Sequence, residues 1–132
     1  MKGFKLITEF QHHSNPNRLK TDRFPKGVRK EKITAIYLLE FKGKIIKVGQ
    51  SINLFRRIND YKFRIGFACK HLTPKINKMI TDSGENVKVY VKFYSDIHWV
   101  DDEDFGRVPL KNDMLYLENQ WKEKYKEHLI FD

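Results

Sequence analysis

The chain has 132 residues, with 26 Lys and Arg against 17 Asp and Glu for a net charge of +9, and 40% of it is hydrophobic and 14% aromatic. That length suits one domain and that apolar content excludes wholesale disorder, while the single Cys69 excludes a disulfide framework and no apolar run approaches the ~20 residues of a membrane span. Excess positive charge opposes compaction unless an anionic partner offsets it, and nucleic acid leads the candidates because each neutralised phosphate releases counterions.

Residues 1–33 read as a basic N-terminal arm and residues 34–132 as the folded domain. Within the arm, "FKLITEF" suits a short strand, whereas "HHSNPNRLKTDRFPKGVRKEK" mixes cations with turn formers and reads as irregular chain. Such an arm can clamp a phosphate backbone or remain a solvated tail. Adjacent His12 and His13 point to different sides of an extended chain, which argues against shared metal ligation.

From Thr34 to Phe41, β-branched and aromatic residues predict a strand, and "FKGK" turns it into a second strand, "KIIKVG". Strands joined this tightly pair antiparallel. Ser51 is placed as the N-cap of a helix carrying Leu54, Phe55, Ile58 and Tyr61. A second helix is expected from about Thr73, with Pro74 at its first position and a stop at "DSG". "NVKVYVKFY" alternates as a third strand beside the hairpin. The acidic run at Asp101 to Asp104 reads as a solvated loop rather than a second metal site, because adjacent loop carboxylates rarely converge. A last helix, residues 112–129, puts Leu117, Trp121, Tyr125 and His128 on one stripe. The expected class is α/β in the α+β sense: a three-stranded antiparallel sheet flanked by helices.

The chemistry gathers at the hairpin and the helix after it. Tyr37 and Lys47 can face the same side, and Arg57 and Tyr61, four residues apart, share one helix face. A phenol, an amine, a guanidinium and a second phenol then converge beside the sheet, a reasonable site for a phosphodiester.

At these residues the chain resembles the GIY-YIG nuclease family. "AIY" (Ala35, Ile36, Tyr37) stands where the family has GIY, "KVG" (Lys47, Val48, Gly49) where it has YIG, and "QSINLFRR" follows the family habit of a small hydroxyl residue, an Asn, an apolar residue and an Arg. The resemblance covers about residues 34–125 and implies catalytic Tyr37, Lys47, Arg57, Tyr61 and Glu118, the last also the metal ligand in "YLENQW". Further contacts to nucleic acid are expected from Gln50, Ser51, Asn53, Arg56, Lys70, His71 and Lys75. Lys47 departs from the family's Tyr, as in similar restriction-type and phage-type members, and the family's usual terminal Pro and Asn segment is absent from "EHLIFD".

The function this implies is Mg²⁺-dependent (or Mn²⁺-dependent) hydrolysis of DNA phosphodiesters by a cytoplasmic endonuclease, with Glu118 holding the ion and Arg57 clamping the phosphate. Tyr37 is taken as the base, with Lys47 positioning the water, although the opposite assignment fits the sequence equally well. Burial and the neighbouring charges of Arg57 and the metal are expected to lower the pKa of both groups. Symmetric cutting of both strands requires a homodimer or two successive nicks. Two alternatives follow from Lys47: an inactive nucleic-acid-binding module of the same fold, or a phage protein that engages a host protein.

Overall fold

The structure is a computed structural model and describes residues 3–22, 34–94, 99–109 and 114–131. In "AIYLL" the apolar residues run without alternation, as a strand covered on both faces requires, and Ala35 to Leu39 are all buried within β3 (Thr34–Phe41). Lys42 and Gly43, with φ of 52° and 80°, form the left-handed turn that matches strand twist and lead into β4 (Lys44–Ser51). The two strands pair antiparallel, with Tyr37 opposite Gly49 and Leu39 opposite Lys47.

The antiparallel sheet is wider than the three strands expected. β1 (Lys5–Gln11) and β2 (Lys20–Thr21) extend it, and with β5 (Val87–Tyr94) the order is β2-β1-β5-β3-β4. The short strand expected at "FKLITEF" is β1, whereas residues 12–21 were expected as irregular arm. β2 joins β1 at the end of this stretch and Leu19 enters the core beside Ile7 and Phe10, a long-range contact that local turn signals conceal. The rest of the basic arm, including Arg23, Lys26, Arg29, Lys30 and Lys32, lies outside the described residues.

One face of the sheet is covered by α1 (Leu54–Phe63) and α2 (Phe67–Ser83), whose Ile58, Tyr61, Ile76 and Ile80 pack with Tyr37, Leu39 and Val89. The other face is covered by α3 (Met114–Tyr125) and the hairpin of β6 (Trp99–Asp102) and β7 (Gly106–Pro109), where Leu117, Trp121 and Val108 meet Ile36, Leu38 and Val48. Among the described residues, no helix is long and apolar enough to cross a membrane.

Four local expectations change. Asn53, not Ser51, caps α1: its side chain accepts the Arg56 N–H at 3.1 Å, while the Ser51 hydroxyl accepts the Asn53 N–H at 3.0 Å. The second helix begins at Phe67, so Pro74 is interior. Proline leaves the carbonyl four residues back without its helical donor, and that carbonyl, on Lys70, accepts instead from Arg64 Nε at 2.9 Å.

The acidic run forms the β6–β7 hairpin rather than a solvated loop. Asp102 is 6% exposed and accepts from Lys92, from the Tyr94 hydroxyl at 3.2 Å and from the Asp104 and Phe105 N–H groups. Burial alone would raise its pKa, but these donors hold its carboxyl below the usual range. Finally, His128 is exposed beyond the end of α3, and the terminal segment straps across β4, where the Ile130 and Phe131 N–H groups both donate to Ile46 O at 3.0 and 3.2 Å.

Candidate active site

The loop from Ser51 to Asn53 fixes how α1 leaves β4. With Leu54, Ile58 and Tyr61 buried, the rotation of α1 is set, and Arg57 is left half-buried on the flank beside the loop. Ser51, Ile52, Asn53, Arg56, Arg57 and Asp60 line a cleft of about 380 Å³. Two guanidinium groups and one carboxylate make it a polar, cation-rich recess.

Tyr37 enters this region from β3. Its ring lies across Gly49 so closely that a Cβ there would sit 2.2 Å from Cζ and 2.3 Å from the hydroxyl oxygen. Glycine is therefore required by contact, not by backbone conformation. Beyond Gly49 the Tyr37 hydroxyl meets the Tyr61 hydroxyl at 2.9 Å, and the two rings cross edge-on at 6.0 Å. Lys47 is 8% exposed, two residues before Gly49 on the same face of β4.

Burial governs the titration here. It pushes Tyr37 up to about 12, against the lowering effects of the Tyr61 hydrogen bond and of Arg57, and Glu118 adds to the rise. Tyr61 is pushed well above its ordinary value by burial and by Tyr37. The expectation that burial lowers both groups fails for a phenol, because a low-dielectric surrounding disfavours phenolate. Cys69 was passed over in the sequence, yet its thiol lies in the same cluster: burial raises it to about 11, with Arg57 and Lys47 pulling down and Asp60 pushing up. Nothing in the sequence marks this cysteine. Asp60 did carry a signal, since it follows Arg56 and Arg57 at helical spacing.

Glu118 stands in the opposite layer. It projects from α3 between buried Leu117 and Trp121, with a side chain 13% exposed and Oε2 3.7 Å from Lys122 Nζ. Its charge acts on Tyr37, which ties it electrostatically to the same cluster. Among the described residues, no three His, Cys, Asp or Glu side chains gather as a metal site. A single enclosed carboxylate nonetheless suits Mg²⁺, which keeps several waters and takes only one or two protein carboxylates.

The other residues singled out in the sequence divide. Ser51, Asn53 and Arg56 line the cleft, the first two with their oxygens engaged by backbone N–H groups. Gln50 pairs with Ile36 and so belongs to the α3 side of the sheet. Lys70 and His71 are exposed at the start of α2, and Lys75 lines a separate cleft with Met79, Ile130 and Phe131.

Two solved structures share this fold. One is a restriction endonuclease, HPY188I, in complex with product DNA, 19% identical with a TM-score of 0.52 over 98% of this chain and 79% of that one. Another is a mutant of bacteriophage T4 EndoII, also 19% identical, with a TM-score of 0.61 over 93% of this chain and 87% of that one. At that identity the likeness is one of fold. No family model matches the chain, and no curated protein matches it in sequence.

Proposed function

We propose that the chain is a metal-dependent DNA endonuclease of GIY-YIG type that hydrolyses phosphodiesters at the cleft between β4 and α1. One observation carries the reading: the Tyr37 ring lies over Gly49 and its hydroxyl meets that of Tyr61, while Arg57 and Glu118 stand near enough to act on Tyr37, and Arg57 and Lys47 on neighbouring Cys69. That set is what the motif resemblance requires at these positions. The two solved structures of this fold, an endonuclease with product DNA and a phage EndoII, support the same class.

In this reading Arg57 clamps the scissile phosphate, since a guanidinium stays charged and bonds in a fork. Glu118 would hold Mg²⁺, whose chemistry when bound is to stabilise charge on the leaving oxygen. With Tyr37 near 12, only roughly one phenol in a hundred thousand is ionised at neutral pH. Lys47, the other candidate base, takes that role in this reading, and because the Tyr37–Tyr61 pair shares one hydroxyl hydrogen, its remaining O–H orients the attacking water or a phosphate oxygen. Fixed donors of this kind supply the electrostatic part of phosphoryl transfer.

The test is cleavage of supercoiled plasmid with Mg²⁺, with EDTA, and with folded Arg57→Ala and Glu118→Ala variants. Metal-dependent nicking that both variants lose supports the reading. Binding of the plasmid without any cleavage in Mg²⁺ or Mn²⁺ refutes it and leaves a binding module.

A further inference from the structure

The corner where α1 turns into α2 carries a surface that the cleft does not use. Phe63, Ile65 and Phe67 are 46%, 53% and 85% exposed within five consecutive residues. Scattered apolar side chains are ordinary on a surface, but a cluster marks an interaction site. Left-handed φ values of 58° at Arg64 and 88° at Gly66 turn the chain sharply around Ile65 and present Phe67 as the first residue of α2.

The surroundings say what the partner is. From Tyr61 to Thr81 the sequence contains no acidic residue, while Lys62, Arg64, Lys70, Lys75 and Lys78 all fall within it. Arg18, from the β1–β2 connection, and Lys62 both stand 5.4 Å from the centre of the Phe63 ring. A basic recess lined by His13, Arg18, Lys20 and Lys62 adjoins that ring. Phe63 is thus held between cations, whereas Phe67, with the His71 ring against it at 5.6 Å, is the aromatic that stands furthest out. Exposed aromatics among cations suit nucleic acid: the cations take phosphates, and the ring stacks on a base or wedges between bases.

We propose that this corner is a second nucleic-acid contact, on which Phe67 and Ile65 engage an unpaired or unstacked base while Arg18, Lys62, Arg64 and Lys70 hold the flanking phosphates. The proposal rests on the nuclease reading and deepens it, since it assigns a preference for DNA that is interrupted near the cut. On α1, Arg57 stands six residues before Phe63, about 9 Å along the helix axis, which places the corner about three base-pair steps from the Arg57 cleft.

Binding measured in EDTA, where no cleavage occurs, tests the idea apart from catalysis. The probes are a continuous duplex and the same duplex with a short single-stranded extension carrying 2-aminopurine. Wild type is expected to bind the extended DNA more tightly and to quench the 2-aminopurine by stacking. Phe67→Ala, at a largely exposed position where folding is safe, should lose the quenching and weaken that binding about 5- to 100-fold, with little change on the plain duplex. Lys70→Ala, at an exposed side chain, should weaken both and lower the salt slope by about one. If wild type binds both DNAs and Phe67→Ala binds and quenches as wild type does, the proposal is overturned and the nuclease reading stands. If wild type binds neither DNA, both fall together.

Discussion

Gly49→Ala tests the architecture of the site at its tightest point. The backbone at Gly49 is not in the left-handed region, so alanine meets no conformational penalty there, and the whole effect must come from the Tyr37 ring. A Cβ would stand 2.2, 2.3 and 2.6 Å from Cζ, the hydroxyl oxygen and Cε1. Ordinary carbon contacts begin near 3.5 Å, so the ring has to retreat by roughly 1 Å. Tyr37 is 3% exposed and bonded to Tyr61, which leaves it nowhere to go without loss. Overpacking of this kind costs about 1–3 kcal/mol, and a broken buried hydroxyl pair adds about 1 kcal/mol. A loss of about 2–4 kcal/mol is expected in urea unfolding followed by tryptophan fluorescence. In a Tyr37→Leu background, which removes Cζ and the hydroxyl, the same substitution should cost nothing or stabilise slightly, because alanine restricts the unfolded chain. A coupling below about 0.5 kcal/mol between the two sites would refute the contact argument.

Three further predictions concern Asp102, the titration of Tyr37, and Phe131. Asp102→Asn removes the partner of Lys92 in a pair whose side chains are 0% and 12% exposed, and should cost about 3 kcal/mol in chemical denaturation, part of it recovered by adding Lys92→Met. Because the Asp102 carboxyl is held below its usual range, its contribution is present above the unfolded carboxylate pKa and is lost as pH falls through the lower folded value; stability that Asp102→Asn leaves equally acid-sensitive would contradict this. Tyr37 has the opposite sign: its folded pKa of about 12 exceeds the unfolded value of about 10, so its contribution is complete below pH 10 and is lost between the two. Tyrosinate absorbance should therefore lose a late-titrating phenol in Tyr37→Phe, and an unchanged titration would argue against burial. Phe131→Ala empties a core position that is 8% exposed and should destabilise by about 2–4 kcal/mol, whereas Ile130→Ala, 60% exposed, should move the midpoint little.

The hairpin and the helix after it were legible because their signals are local: a continuous apolar strand, a Gly-containing turn, a capping residue and a 3.6-residue repeat. Even there, "QSIN" offers two good caps, and only the chain's path decides that Ser51 closes the loop while Asn53 starts the helix. Most of the misses turn on contacts between separate elements. Pro74 reads as a helix start unless Arg64 is known to take the Lys70 carbonyl. "VDDED" reads as solvated unless Lys92 and Tyr94, on another strand, are known to receive Asp102. The titration error at Tyr37 was different in kind, since the sequence suggested burial correctly but the sign for a phenol was reversed.

The position of β4 explains why the candidate site lies where it does. β4 is an edge strand, and an uncovered edge invites unwanted pairing. Toward the hairpin end the chain covers it, with the Ile46 carbonyl accepting from both Ile130 and Phe131 and the Phe131 ring in the core. At the other end Gly49 to Ser51 leads directly into the cleft, and the missing side chain at Gly49 admits the Tyr37 ring. The two layers of the molecule also have to meet here, because Tyr37, Arg57 and Tyr61 lie on the α1 side while Glu118 comes from α3 on the other. Near the edge of the sheet a carboxylate from one face and a phenol from the other lie close enough for the charge of Glu118 to act on Tyr37. Closing one end of β4 while leaving the other open therefore meets both requirements, protection from edge pairing and convergence of groups from opposite faces.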